Sequence, residues 1–266
     1  GFKSDPVTCL DIAFLIILGG IGFPVLINLR EGTRLWLTGK GRLWKLTFNS
    51  KVVLSFTAGL LVAGTLLMLF FEWDNTLAGL SLGDKLVNAF FQSVTPRTAG
   101  YNTVPIGDLH MISLFGIIIL MFIGASPQST GGGVKTTAFG TIVFTVRALL
   151  RNREHVEAFR RTLPPTFIYR AAALVFISMS LCVLSLMCLL ITENATFMDM
   201  VFEVVSAFGT VGLSTGLTPK LTVAGKLVII VTMLVGRIGP LTLAVALAAR
   251  PTAGRFRYPD DHVIIG

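Results

Sequence analysis

Charge is scarce in this chain. Only 14% of its 266 residues are Asp, Glu, Lys or Arg, 53% are hydrophobic, and the mean hydropathy is +0.78. A soluble domain of this length needs far more polar surface, so the composition points to a membrane protein. Cysteine and histidine are scarcer still, at three each. Cys9, Cys182 and Cys188 lie in apolar runs at spacings that suit neither a metal nor a disulfide framework, so they read as packing residues. His110, His155 and His262 stand alone. No Ser/His/Asp or Cys/His constellation is visible, nor a carboxylate pair suited to acid–base work, which argues against an enzyme. The opening Gly1-Phe2-Lys3 has neither an initiating Met nor a charged-then-apolar leader. The chain is therefore expected to begin partway through a longer protein.

What the chain does have is long apolar runs, at about 7–29, 51–71, 111–123, 134–149, 167–192 and 222–249. A full crossing takes roughly 20 residues, so 111–149 is either one long broken helix or two pieces. The runs 84–95 and 197–208 are too short to cross and suit re-entrant helices. Gly83-Asp84 is expected to begin the first, with Asp84 as its cap, and Thr95-Pro96 to close it. Thr196 or Asp199 serves the start of the second. This predicts an all-α membrane protein.

The formal charge of +8 is unevenly placed. Six cations lie between Arg30 and Lys51, six between Arg147 and Arg170, and three at Arg250, Arg255 and Arg257. With the spans counted as above, these share one side, while Lys3, Lys85, Arg97, Lys220 and Lys226 fall on the other. That asymmetry predicts cytosolic 30–51 and 147–170 loops and a cytosolic C-terminus. The basic loops lack interleaved aromatics, so nucleic acid is not an expected partner. Arg147, Arg151, Arg153, Arg160 and Arg161 lack the strict third-residue repeat of a voltage sensor. Contact with lipid headgroups or a regulatory subunit suits them better.

Two pentapeptides 112 residues apart share a pattern: Thr98-Ala99-Gly100-Tyr101-Asn102 and Thr210-Val211-Gly212-Leu213-Ser214. Each follows a short apolar helix and precedes a long apolar span. A half-helix that stops inside the bilayer, followed by a strand passing a glycine, is how backbone carbonyls are arrayed as an ion filter. The helix C-termini would present partial negative charge to a cation. The order of span, short helix, pentapeptide and span occurs twice after Lys51, and Gly1-Phe2 would end a further copy. The expected divisions are 1–50, the end of one pore unit and a cytosolic loop; 51–165, a complete unit; and 166–266, another unit and the tail. Units that return to their starting side suit parallel repeats about an axis along the membrane normal.

The later spans are interrupted by small residues: Gly19-Gly20-Ile21-Gly22, then 124–133, then Gly236-Arg237-Ile238-Gly239-Pro240. Broken helix at bilayer depth is tolerated where it lines a cavity or is covered by protein. The middle break is the longest and most polar, and so is the candidate movable gate. Gly131-Gly132-Gly133-Val134-Lys135-Thr136-Thr137 is not a phosphate loop, because Val134 separates glycine from lysine amid apolar spans. Lys135 and Arg237 both lie within apolar stretches, where ionisable groups are functional by default. Asp11 suits either a cation-concentrating vestibule or the membrane interface.

Gly19 to Phe23, Val94 to Asn102, Phe208 to Leu213 and Gly236 to Thr242 together resemble the Trk/Ktr/HKT superfamily of cation transporters, and most of all the membrane subunit of Ktr-type potassium uptake systems. The resemblance runs over essentially the whole chain. It implies potassium-channel-like pore units, four to a full protein, working as a homodimer on a cytosolic ring of nucleotide-binding regulatory subunits. Carried over residue by residue, Thr98, Ala99, Gly100, Tyr101 and Asn102 would form the third filter strand. Thr210, Val211, Gly212, Leu213 and Ser214 would form the fourth, and Gly1 and Phe2 would end the second. Residues 124–137, with Gly124, Ser126, Gly131, Gly132, Gly133 and Lys135, would be a gating loop below the filter, facing Arg237 across the pore. Two departures stand out: the first unit and most of the second lie outside this chain, and Lys3 occupies a place where a small polar residue is expected. No cofactor is implied. Potassium would bind at the filter carbonyls, sodium is the alternative ion, and a non-transporting remnant is the third reading.

Overall fold

Side-chain caps or glycines set the ends of several of the described helices. The computed structural model describes residues 5–39 and 45–239. Gly1, Phe2, Lys3, Pro240 and the C-terminal tail lie outside the described residues.

Helix α1, Pro6–Ile21, begins at Asp5, whose carboxylate accepts the amides of Val7 and Thr8 at 3.2 and 3.3 Å. It ends at Gly22, which has φ of +93°. Helix α2, Phe23–Leu37, departs at 105° to it. The apolar run 7–29 is therefore two helices, because Gly22 takes a backbone conformation that an L-residue reaches only with strain. Helix α3, Phe48–Glu72, starts at the Thr47 cap and runs for 25 residues. Helix α4, Leu82–Val94, is the first short helix.

Its cap differs from expectation. Ser81, not Asp84, is the N-cap: its hydroxyl accepts the Asp84 amide at 3.2 Å and donates to the Asp84 carboxylate at 2.7 Å. Asp84, three residues in, accepts the cap's hydroxyl and so orients it toward the helix amides. The same device opens the second short helix, α8, Phe197–Gly209, with Thr196 as cap and Asp199 as its acceptor.

The 111–149 region is two pieces, α5, Met111–Phe122, and α6, Thr136–Leu150. Helix α7, Pro165–Thr192, runs 28 residues, and α9, Val223–Ile238, follows α8. Among the described residues two helices, α3 and α7, are long and apolar enough to cross a membrane, and the bent pair α1 and α2 would make a third. The 111–149 run breaks into shorter helices because the glycine-rich segment 124–133 interrupts it. Large side chains such as Phe14, Phe70, Phe176 and Ile191 face outward, and that suits a lipid surround.

Helix α3 packs on α4 and α5, and α8 lies against α5, α7 and α9. Met68, Leu77, Ile117, Met121 and Phe202 are buried in one cluster, and Leu189, Phe208 and Ile229 in a second. Two carboxylates brace the inner helices at equivalent places. Glu72, at the end of α3 and fully buried, accepts the amide of His110, the residue that caps α5, at 2.9 Å. Glu193, just past α7, accepts the amide of Thr222, which caps α9, at 3.1 Å. His110 and Thr222 are 112 residues apart, the register of the two pentapeptides.

A feature absent from the sequence reading is a two-residue hairpin in the 147–170 loop. Strand β1, Glu157–Ala158, pairs antiparallel with β2, Arg161–Thr162. Its turn residues, Phe159 and Arg160, have φ of 49° and 62°, the sign a type I′ turn requires, without glycine. The Phe159 ring packs edge-on against Phe48 and Phe144 at 6.3 and 6.1 Å, which anchors the turn on α3 and α6.

A candidate ion filter and the loop beneath it

Helices α4 and α8 lead directly into the two pentapeptides, which share their backbone signature. Thr98 and Thr210 both sit at positive φ, 71° and 53°, although neither is glycine. Gly100 and Gly212 follow at 74° and 91°. At the fourth position each strand is tied back to its own helix. Thr95 Oγ1 donates to the Tyr101 carbonyl at 2.5 Å, and Ser206 Oγ donates to the Leu213 carbonyl at 2.6 Å. Those two carbonyls are thus engaged by hydroxyls.

Among the described residues, no hydrogen bond ends on the carbonyls of Thr98, Ala99, Gly100, Thr210, Val211 or Gly212. Backbone carbonyls without a protein partner need water or an ion. The two strands meet at their glycines. A Cβ on Gly100 would strike the Val211 carbonyl oxygen and come within 3.1 Å of the Gly212 Cα. A Cβ on Gly212 would lie 3.6 Å from the Gly100 Cα. Only glycine at 100 permits this approach. Tyr101 is 62% exposed, and Asn102 donates to the Val104 carbonyl at 3.1 Å.

Several polar groups stand behind the strands that were not among the expected site residues. Glu203, on α8 and 4% exposed, accepts the Ser214 hydroxyl and the Thr218 hydroxyl, the latter at 2.6 Å. Arg97 does not lie free on the outer side with the other cations. It is 5% exposed directly before Thr98, and its three guanidinium nitrogens have no hydrogen-bond partner among the described residues. Lys85 is also buried, donating to the Trp73 carbonyl at 2.8 Å with its ammonium 4.0 Å from the centre of that ring.

Residues 123–135 form an irregular loop against the inner ends of both strands. Gly131 faces Thr98: a Cβ there would lie 2.6 Å from Thr98 Oγ1. Gly132 faces Thr210 in the same way, at 2.6 Å, and its amide donates to Thr210 Oγ1 at 3.1 Å. The loop turns back on itself where Gly124 packs against the Gly132–Gly133 backbone, with Gly133 at φ of 74°.

Ties from α1, α2 and α9 hold the loop from outside, among them the Thr130 amide and hydroxyl on the Gly19 carbonyl at 3.4 and 3.3 Å. The amide of Ser126 donates to the Gly20 carbonyl at 3.0 Å, and its hydroxyl lies 2.9 Å from Thr136 Oγ1. The Phe23 amide, beside the α1–α2 break, donates to the Gln128 carbonyl at 3.2 Å. Arg237, in the last turn of α9, donates to the Thr130 carbonyl. Lys135 closes the loop internally, donating to the Gly131 carbonyl at 2.6 Å. Gly124, Ser126, Gly131, Gly132, Gly133, Lys135 and Arg237 thus belong to one assembly beneath the two pentapeptides. The break at Gly19–Gly22, which looked like a feature of its own span, is where this loop is strapped.

Comparison with known proteins agrees with this architecture. A family model described as TrkH, cation transport protein, matches residues 1–258. Ktr system potassium uptake protein B of Bacillus subtilis is 40% identical over 267 residues, covering all of this chain and 58% of that protein. Its namesake from Vibrio alginolyticus is 39% identical, covering all of this chain and 57% of its own length. Potassium/sodium uptake protein NtpJ of Enterococcus hirae is also 39% identical, over 99% of this chain and 58% of that protein. The crystal structure of the potassium transporter TrkH from Vibrio parahaemolyticus shares the fold, with a TM-score of 0.70 at 19% identity over 92% of this chain and 52% of that one. The chain spans somewhat more than half the length of the curated relatives it matches. A family model that runs nearly end to end, relatives at about 40% identity and a common fold together place this chain in the TrkH family of cation transport proteins.

Proposed function

We propose that this chain supplies two filter strands and the gate of a potassium uptake pathway. The observation that carries the reading is the set of six carbonyls, at 98–100 and 210–212, that receive no hydrogen bond from the described residues while the next carbonyl in each strand is pinned by a hydroxyl. Such carbonyls replace a cation's hydration shell, and paired α4 and α8 C-termini add partial negative charge. Residues 51–165 and 166–266 each act as one pore unit, and 1–50 completes a preceding unit to which Gly1 and Phe2 contribute. The 124–137 loop gates the path: it lies under Thr98 and Thr210, and Arg237 and Lys135 keep positive charge where a cation would leave.

Potassium is the ion by analogy with the Ktr relatives. Sodium is the second reading, favoured by the equal likeness to a potassium/sodium uptake protein. The protein sits in a bacterial plasma membrane with its basic loops cytosolic, as a homodimer. A cytosolic nucleotide-binding ring acts on the gate, in keeping with the multi-component systems for which the relatives are named.

The test is rubidium uptake into potassium-uptake-deficient cells that express the full-length protein with its cytosolic partner. Wild type is expected to take up rubidium, and Gly212→Asp to lose uptake while still present in the membrane. Absence of uptake by well-folded wild type would overturn the potassium reading and favour sodium transport or a non-transporting remnant.

A further inference from the structure

Between α3, α6 and α7, at the ends assigned to the cytosol, lies a cavity of about 570 Å³ that the ion path does not use. Phe48, Val52, Phe144, Phe167 and Leu174 give it a largely apolar wall. Lys135, Arg161 and Arg170 stand around it, and among the described residues no Asp or Glu lines it. The one ion pair among the described residues joins Arg153 to Glu157, so neither Arg161 nor Arg170 has a carboxylate partner.

Each cation is held in place by a different element. Helix α7 has 28 residues, about 42 Å, against a hydrocarbon thickness of about 30 Å, so its first turns, Arg170 included, stand at headgroup level. The β1–β2 hairpin carries Arg161, and its Phe159 ring fixes that hairpin on Phe48 and Phe144. Lys135 caps the start of α6 and donates to the gate loop at Gly131.

We propose that this cavity binds one anionic phospholipid, its phosphate at Arg161 and Arg170 and an acyl chain along Phe144, Phe167 and Leu174. Guanidinium groups match the paired oxygens of a phosphate, and basic pockets between membrane helices favour anionic headgroups. A free phosphate would occupy the mouth alone and leave the apolar wall wet. A zwitterionic lipid brings its own cation to a site already crowded with them. Because Lys135 borders both the cavity and the loop, occupancy links bilayer charge to the gate; that link rests on the gating role proposed above, whereas lipid binding does not.

Native mass spectrometry of the full-length transporter, transferred from micelles containing equal phosphatidylglycerol and phosphatidylcholine, tests the site. Wild type is expected to retain one phosphatidylglycerol per protomer in preference to phosphatidylcholine. Arg161→Ala with Arg170→Ala is expected to lower that preference at least about tenfold, and lysine at both positions to restore most of it. Thr141→Trp, which narrows the apolar wall and leaves every charge in place, is expected to lose the lipid as well. Equal retention of both lipids by wild type would overturn the proposal, as would retention of neither, which would show the cavity filled by other protein. An unchanged preference in the double alanine variant, or displacement of the lipid by matched inorganic phosphate, would also overturn it. Retention is read without ion flux, so this result and the transport result stand or fall separately.

Discussion

Replacing Glu203 by leucine should loosen the Ser214 end of the second pentapeptide, the proposed fourth filter strand, while leaving the helices in place. The Glu203 carboxylate is 4% exposed and accepts two hydroxyls, from Ser214 and Thr218. Hydrogen bonds to a charged acceptor contribute about 1.5–3 kcal/mol each. The donors limit the loss, because Ser214 is half-buried, Thr218 is exposed, and their hydroxyls already lie 3.1 Å apart. Both can turn to water or to each other, so about 2–4 kcal/mol is the expected total, with roughly half that for Glu203→Gln, which keeps one acceptor oxygen. Neither donor lies on a helix that packs the core, so the cost falls on strand order rather than on global stability. In rubidium uptake with sodium as competitor, Glu203→Leu should be inhibited at least about tenfold more strongly than wild type at equal membrane abundance, with Glu203→Gln between them. If Glu203→Leu discriminated rubidium from sodium as wild type does, Glu203 would not hold the strand and the reasoning would fail.

Other substitutions probe other parts of the assembly. A Cβ on Gly236 would strike the Phe208 carbonyl, so Gly236→Ala should push α9 off α8 and cost about 1–3 kcal/mol, read as a lowered Tm. Gly59→Ala, with nothing within 4 Å, serves as its neutral comparison. Glu72→Ala should remove the buried carboxylate that accepts the His110 amide and the half-buried Asn75 and Thr76 side chains, lowering stability by about 1–3 kcal/mol by chemical denaturation. Arg237→Ala should raise flux when the cytosolic partner is absent, and unchanged flux would remove Arg237 from the gate. The Thr8 hydroxyl and amide donate to Asp5 and hold its carboxyl below the usual range. A lowered folded pKa means the cap is fully effective above the ordinary carboxylate value of about 4 and is lost as pH falls through the lowered one. Hydrogen exchange at Val7 and Thr8, corrected for intrinsic rates, should therefore lose protection only below about pH 4.

The sequence made the register legible and left its supports hidden. Glycine is legible because a filter strand needs backbone without a Cβ, so Gly100 and Gly212 stood out, and the structure gives both a positive φ. The paired threonines at 98 and 210 share that sign, although threonine ordinarily avoids it and no propensity predicts it. Thr95 and Ser206 pin equivalent carbonyls from positions one residue out of register, so aligning the two units could not pair them. Glu203 carried a readable signal, an acid inside a short apolar helix. Arg97 was counted with the outer cations because charge alone says nothing of depth. The interruption of the first span was legible in Gly19-Gly20-Ile21-Gly22, but the 105° turn at Gly22 and the strapping of the 123–135 loop to it were not. The hairpin at 157–162 was invisible because its turn, Phe159-Arg160, has none of the usual turn residues and depends on aromatic packing.

The most direct test of the central claim is a crystal structure of the full-length protein grown in rubidium, with anomalous scattering recorded at the rubidium edge. The account predicts a peak coordinated by the carbonyls of residues 98–100 and 210–212, close to where Gly100 and Gly212 meet. Rubidium bound elsewhere along the pathway, with those six carbonyls bonded to water or protein, would contradict it.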